Sequence, residues 1–396
     1  MNMKTLPVAT PAKLGDAEIR RLLIALNVHG RMMRSAICRL GLEPELWCRA
    51  RPKKPAVAAR LAAELGVPKR QMAYALDQAA AARMIADREE KRAASAGFKI
   101  LTRVDGDYPR ALLDHPLPPP VLYCRGTLPN GPAVGMVGSR RCDGYGREVA
   151  DHLAGLLARS GVTVVSGFAL GIDQAAHRGA VDAGGPTVAV LGCGLDIDYP
   201  RHSARLAEQI ASHGALVSEF PLGREPRNWH FPIRNRVIAA LASAMIVVQA
   251  KPRSGSLITA HAALELGRDV FAVPGRIFDE LSQGTNGLLV DGAAPLTCVE
   301  DVLEPLGLAP APRIVGPSMA HDPTPSLPGE PATEARPLPK GFAGTVVEAL
   351  PVGGAGRTVE DLSAELEVTV DRLLGALLEL ELGGWIHRLP GPLYSR

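Results

Sequence analysis

Rings are scarce in this chain: Phe, Trp and Tyr together make up 4% of its 396 residues. Any place where several gather is therefore informative. The six cysteines, Cys38, Cys48, Cys124, Cys142, Cys193 and Cys298, include no C-x-x-C pair. That argues against a disulfide framework and against a zinc site, and fits reduced thiols in a cytoplasm. No segment approaches the ~18 apolar residues of a membrane span, and the N-terminal stretch lacks the apolar centre of a signal peptide. A cytoplasmic protein is expected. Charge of one sign is missing too: 44 Lys and Arg against 41 Asp and Glu leave a net charge of +3, so the average announces no polyanionic partner. No G-x-x-x-x-G-K-[ST] loop exists, which leaves ATP hydrolysis unsupported. The turn at GMVGSR lacks the full G-x-G-x-x-G, and the next strand, VTVVSG, ends in Ser166-Gly167 where a dinucleotide fold usually supplies an acid for the ribose.

Against this background one stretch stands out. Between Phe220 and Ser256, Arg224, Arg227, Arg234, Arg236, Lys251 and Arg253 face a single acid, Glu225, an excess of five positive charges in a chain that is +3 overall. Trp229, His230 and Phe231 sit among them. Flat rings placed where positive charge converges suit a polyanion that carries stackable bases.

The organisation of the chain changes three times. Residues 16–96 are rich in Ala, Leu, Arg and Glu with apolar positions three and four apart, which predicts a small helical domain. Its scattered cations, Arg49, Arg51, Lys53, Lys54, Lys69 and Arg70, read as a solvated helical surface. From 98 to 306, short Val-rich runs (AVGMVG, VTVVSG, TVAVLG, ALVSE, AMIVVQA, DVFAVPG) alternate with helical segments, most of which stop at glycine. That alternation predicts an α/β domain, a doubly wound parallel sheet with helices on both faces. Residues 307–340 are dominated by Pro, Ala, Ser and Gly and read as a flexible linker. From 341 to 396, three helices and two short strands form a winged-helix-like pattern.

Ligands of doubly wound sheets bind beyond the strand ends. Here those positions are Gly138-Ser139-Arg140-Arg141, Ser166-Gly167, Gly192-Cys193-Gly194, Lys251 to Ser256, and Pro274-Gly275-Arg276. Small residues and following helix N-termini make this a place for phosphate. SGSLITAHAALELG occupies a place like the phosphate loop of lysine-decarboxylase-like nucleoside monophosphate hydrolases, so a nucleotide-binding or hydrolase-like enzyme of the same α/β fold is the alternative reading. The acids that such a loop carries are absent, since Ala260, His261 and Ala262 follow Thr259 and Glu265 comes later. Asp173 and His177, four apart on a helix, read as a capping or core-edge pair rather than an acid/base couple. Asp196 and Asp198 fit a turn ending at Tyr199-Pro200 as well as they fit a cation site.

GSRRCDGYG, SGFALGID, LGCGLDIDYP, SEFP, FPIRNRVIA, SGSLITA and GRDVFAVPG, in this order, resemble the DprA/Smf family of DNA-processing proteins, and YPRALL, PPPVLYCRG and the C-terminal LLELELGGWIHRLPGPLYSR fit too. The G-I-G of a helix-hairpin-helix turn is replaced by Val28-His29-Gly30. The resemblance implies an N-terminal helical, SAM-like domain (1–97), an extended Rossmann-like DNA-binding domain (98–306), a Pro-rich linker (307–340) and a winged-helix-like domain (341–396). It further implies a homodimeric single-stranded DNA-binding protein of natural transformation, which protects incoming DNA, displaces single-strand-binding protein and loads the RecA recombinase. Catalytic activity, cofactor and metal are not expected. Carried onto this sequence, Gly138, Ser139 and Arg140 receive a backbone phosphate, and Arg234 and Arg236 add charge. Asn235 bonds a phosphate or a base edge. Phe231 stacks a base or anchors its loop, and Lys251 lies at the rim of a nest formed by Ser254, Gly255 and Ser256. Asn235 and Arg236 have a structural reading as well, tying neighbouring loops.

The winged-helix-like segment has four bases and eight acids between Gly341 and Arg396. Its candidate recognition helix, TVDRLLGALLELE, offers one cation, Arg372. Too little charge remains for a groove reader, so this domain is expected to bind protein or to regulate rather than to hold duplex DNA.

Overall fold

The computed structural model describes residues 15–29, 59, 62–63, 66, 68–309, 341–350, 357–366, 368–383, 385–389 and 393–395. They fall into two compact units, Met1–Arg313 and Ile314–Arg396. Most of the expected linker, the cations Arg49, Arg51, Lys53 and Lys54, and Gly30 lie outside the described residues.

In the first unit, helices α1 (Asp16–His29) and α2 (Lys69–Ser95) pair through Ile19, Leu22, Leu23 and Leu26 against Met72, Ala82 and Ala86. Strands β1 (Lys99–Thr102) and β2 (Val121–Gly126) follow, with a short α3 (Arg110–Leu113) between them. The core of the unit then runs β3 (Ala133–Val137), α4 (Gly144–Arg159), β4 (Thr163–Ser166), α5 (Ile172–Asp182), β5 (Thr187–Val190), α6 (Ala204–His213) and β6 (Ala215–Ser218). It continues through α7 (His230–Leu241), β7 (Ala244–Val247), α8 (Gly255–Glu265), β8 (Asp269–Ala272), α9 (Gln283–Val290), β9 (Ala294–Pro295) and α10 (Glu300–Leu303).

The sheet has nine strands in the order β1-β2-β6-β5-β4-β3-β7-β8-β9. From β6 to β9 all neighbours are parallel, while β1 and β2 extend the β6 edge antiparallel. The Val-rich runs are buried along their length because helices cover both faces. Alternate residues serve opposite layers: Val134, Met136, Ala244 and Ile246 join one core, and Val137, Met245 and Val247 the other. The chain winds outward from β3 to β6, crosses back, and resumes at β7 on the other side of β3. The β3/β7 boundary is therefore the topological switch point.

The helical layer is locked to the antiparallel edge. Glu89 of α2, 3% exposed, accepts hydrogen bonds from the Tyr123 hydroxyl at 3.0 Å and the Leu222 N–H at 3.2 Å. Asn27 donates to the Glu219 carbonyl at 3.1 Å, and Arg20 to the Ile100 carbonyl at 2.9 Å. These groups are buried or half-buried, so the bonds hold α1 and α2 at one orientation on the sheet.

The second unit contains α11 (Phe342–Glu348), β10 (Arg357–Thr358), α12 (Val359–Glu365), α13 (Val370–Leu382), β11 (His387–Leu389) and β12 (Leu393–Ser395). Three strands in the order β10-β12-β11, one more than the sequence suggested, close over Val346, Leu362, Leu373, Leu377 and Ile386. Thr358 caps α12, its hydroxyl accepting the Asp361 N–H at 3.1 Å.

Candidate nucleic-acid interface

A cleft of about 680 Å³ opens at the switch point, between the loop after β3 and the loop after β7. Its walls include Gly138, Ser139, Arg140, Phe231, Arg234, Asn235, Lys251, Ser254, Gly255 and Ser256. Arg236 is not among them. Its guanidinium turns to the buried Glu219 carboxylate at 2.6 Å and to the Leu117 carbonyl, so it ties loops, the structural reading of this side chain.

The β3 loop is held from two sides. The Ser139 N–H donates to the Gln249 carbonyl at 2.7 Å, and the Ser139 carbonyl accepts the Ile172 N–H at 3.2 Å. Gly171 makes this approach possible. Its φ of +84° suits glycine, and a Cβ there would lie 2.3 Å from the Ser139 oxygen. Beyond the loop, Asp143 caps α4 by accepting the Gly146 N–H at 2.8 Å and also receives the Gln249 side-chain amide at 2.9 Å. On the other wall, Arg253 takes the left-handed conformation (φ 64°), uncommon for a residue with a Cβ, and Ser254 caps α8. The Ser139 and Ser254 backbone N–H groups already donate within the protein, so much of the cleft's positive potential comes from side chains and from the N-terminus of α8.

Its cations divide by burial. Arg140, Arg141, Lys251 and Arg253 are exposed at the rim, Lys251 in a surface ion pair with Glu280 that contributes little to stability. Arg234 is 4% exposed and donates to the carbonyls of Gly167 and Val190. The Asp173 carboxylate, equally buried, accepts the N–H groups of Gly167 at 3.1 Å and Ala169 at 3.3 Å. Gly167 is thus held through both its N–H and its carbonyl, and glycine suits the position because the Arg234 guanidinium occupies the space of a Cβ. Burial raises the Asp173 carboxyl above its ordinary range, with Arg234 and the two N–H groups opposing. Burial also pulls Arg234 down to about 10, against the pull of Asp173.

Phe231 is half-buried, and its ring forms part of the wall rather than of the core. The Arg140 guanidinium sits 4.8 Å above its centroid and the Tyr199 ring 5.8 Å away. A side pocket of about 320 Å³ continues behind it, between Phe231, Tyr199, Leu191 and Leu170.

Asp173 and His177 do not bond one another. His177 is fully buried with Nδ1 2.8 Å from the Thr187 hydroxyl, which itself donates to the Val164 carbonyl. Thr187 has spent its proton, so Nδ1 is the donor. Burial pulls His177 down to about 3, the Arg234 charge adding to it. Asp196 and Asp198 act as turn formers, accepting the Gly223 N–H at 2.8 Å and the His202 N–H at 3.3 Å. Sequence reasoning missed Tyr199 as a wall of the side pocket and Gln249 as the strut between the two loops. GLDIDYP carried a signal for the first, a ring following a turn. Gln249 carried none.

Residues 99–307 match the family model of DNA recombination-mediator protein A, and residues 330–392 match that of the DprA winged helix domain. The chain is 44% identical over 192 residues to DNA processing protein DprA of Bacillus subtilis (strain 168), a match spanning 48% of this chain and 65% of that protein. It is 35% identical over 324 residues to protein Smf of Synechocystis sp., covering 75% of this chain and 80% of the relative. Among solved structures, DNA processing protein A from Streptococcus pneumoniae superimposes with a TM-score of 0.62 at 33% identity, covering 74% of this chain and 98% of that one.

Proposed function

The chain belongs to the DNA recombination-mediator protein A family, and from that premise we propose that its cleft binds single-stranded DNA without base specificity. The observation that carries the reading is the rim itself. Arg140, Arg141, Lys251 and Arg253 line one cleft with Phe231, whose ring lies 4.8 Å from the Arg140 guanidinium, at a switch point where hydrogen bonds hold the β3 loop to Gln249 and Ile172. Exposed cations take successive phosphates, and a ring accepts any base.

The use of the polar groups supports binding rather than catalysis. Asp173, the acid that lines the cleft, is committed to two backbone N–H groups beside Arg234. The rival, a nucleoside monophosphate hydrolase, predicts free base on incubation with nucleoside monophosphates; chromatography decides between them.

Holding a strand by phosphates and stacking alone is what protection of incoming DNA and loading of RecA recombinase in the cytoplasm call for, with displacement of single-strand-binding protein. A homodimer is supported by Ile277, Phe278 and Val290, 74%, 93% and 88% exposed on the loop and helix that follow β8. The second unit suits a protein partner. Its α13 displays Val370, Leu374 and Leu378 at helical spacing among acids, a face that repels phosphate.

The test is a salt titration of oligothymidylate binding. Arg140→Ala is expected to lower the slope of log K against log salt by about 0.7, one phosphate contact on a single strand. An unchanged slope would remove Arg140 from the site.

A further inference from the structure

A second cationic surface lies in the same unit. A groove of about 1060 Å³ runs along α2, with Asp196 and Leu222 on its far wall. Met84, Arg88, Lys91 and Ser95 stand at i, i+4, i+7 and i+11, a single stripe about 16 Å long. Arg83 and Arg92 flank it.

The helix carries acids as well; one of them, Asp87, lines the groove, and Asp87, Glu89 and Glu90 are each engaged within the protein. Glu89 is buried against Tyr123 and Leu222, Glu90 pairs with Arg20 at 3.0 Å, and Asp87 lies 3.9 Å from both Arg21 and Arg83. Arginines of α1 thus neutralise acids of α2. Among the described residues, neither Arg88 nor Lys91 has an ion-pair partner, and both are exposed. The Glu89 bonds that lock α2 to the sheet also hold this stripe at one position relative to the cleft.

One loop joins the two surfaces. Leu222 lines the groove and Asn228 lines the cleft. They are six positions apart, at most about 20 Å of chain. The guanidinium of Arg92, paired with Glu89 at 3.0 Å, stands beside Gly223; further along, Arg227 offsets Glu225, both exposed, and Trp229 is 53% exposed. Two arginines, Arg224 and Arg227, against one acid, Glu225, and an exposed ring therefore mark the route between cleft and groove.

We infer that the α2 groove is a second contact strip for the strand, receiving the sugar-phosphate backbone on Arg88 and Lys91 after it leaves the cleft past Trp229. The inference rests on the reading of the cleft as a single-stranded DNA site. It gives the helical region a direct part in binding and sets a length requirement: a strand must be long enough to span both surfaces.

The experiment compares full-length protein with the double variant Arg88→Gln/Lys91→Gln and with Arg140→Ala, using oligothymidylates of about 6 and about 20 nucleotides. The double variant is expected to bind the short strand with unchanged affinity and salt slope. On the long strand its slope falls by about 1.4, two contacts at about 0.7 each. Equal slopes for wild type and double variant on the long strand overturn the inference and leave the groove to a protein partner. An equal drop at both lengths overturns it too, because general attraction, not a second strip, then explains the charge. Arg140→Ala separates the two readings. If it weakens both lengths while the double variant changes neither, the cleft stands and the groove falls; if it weakens neither, both fall together.

Discussion

Replacing Arg234 with Met removes a charge from the interior while leaving most of the apolar stem. Arg234 is 4% exposed, and its guanidinium holds the Gly167 and Val190 carbonyls beside the buried Asp173. Without it, Asp173 is a buried carboxylate with two N–H partners and no nearby buried cation, a situation that costs about 3–5 kcal/mol. Asp173 relieves that cost by taking a proton, so the loss depends on pH. Burial already raises its folded pKa above the unfolded value, and losing Arg234 raises it further. A carboxyl with a raised folded pKa contributes most stability below the unfolded pKa of about 3.9 and loses it as pH rises through the folded value. The variant is therefore closer to wild type in an acidic buffer than in an alkaline one. Urea melts at the two pH values, with Arg234→Met/Asp173→Asn alongside, measure this directly. The double variant should recover most of the deficit at the higher pH. A single variant within about 1 kcal/mol of wild type there, or a double variant no better than the single, refutes the account of Arg234 as the charge that compensates Asp173.

Gly171→Ala forces a Cβ to within 2.3 Å of the Ser139 oxygen at a φ of +84°, a strain of about 1–3 kcal/mol that moves the Ser139-Arg140 loop. Oligothymidylate affinity should fall with far-ultraviolet circular dichroism unchanged; wild-type affinity would show that the loop's position is immaterial. Phe231→Ala should weaken oligothymidylate by about 1–3 kcal/mol, roughly 5–150-fold, while Phe231→Tyr retains stacking. Equal affinity of the Ala variant assigns the ring to the wall alone. His177 titrates near 3 in the folded protein against 6.5 unfolded, so wild-type stability is full above about pH 6.5 and erodes as pH falls toward about 3. His177→Gln should flatten that acid limb by up to one proton in denaturant melts, and an unaltered limb would mean that another group sets it.

The parallel sheet was legible because its strands are buried on both faces and so read as unbroken Val-rich runs such as VTVVSG and AMIVVQA. Strand order followed less directly. Sequence gives alternation, but the return from β6 to β7 across the sheet, which creates the switch point, depends on packing between distant layers. The loops GSRR and KPRSGS announced themselves by small residues and charge, and the structure brings them to one cleft. What sequence could not separate was the role of each cation. Arg234 and Arg236 sit two apart on α7, and burial decides that one holds carbonyls under the cleft and the other holds Glu219 away from it. Clustered charge in a sequence counts guanidinium groups; the fold decides which of them water, and hence phosphate, can reach.

That division also explains why base-independent binding is the reading the cleft supports. Discrimination among bases needs donors and acceptors held toward the base edge, with Asn and Arg the usual bidentate readers. Both types are here, and the two that are buried are engaged. Asn235, 8% exposed, gives its amide to the Gly255 carbonyl at 3.3 Å, which fastens α7 to the start of α8. Arg234 gives its guanidinium to Gly167 and Val190 beneath the β4 and β5 strand ends. Arg234 and Asn235 therefore hold the loops in place, while Arg140, Arg141, Lys251 and Arg253 stand exposed at the rim of the cleft that the Phe231 ring lines. Phosphates and π-faces are common to every nucleotide, so contacts of these two kinds carry no preference among bases.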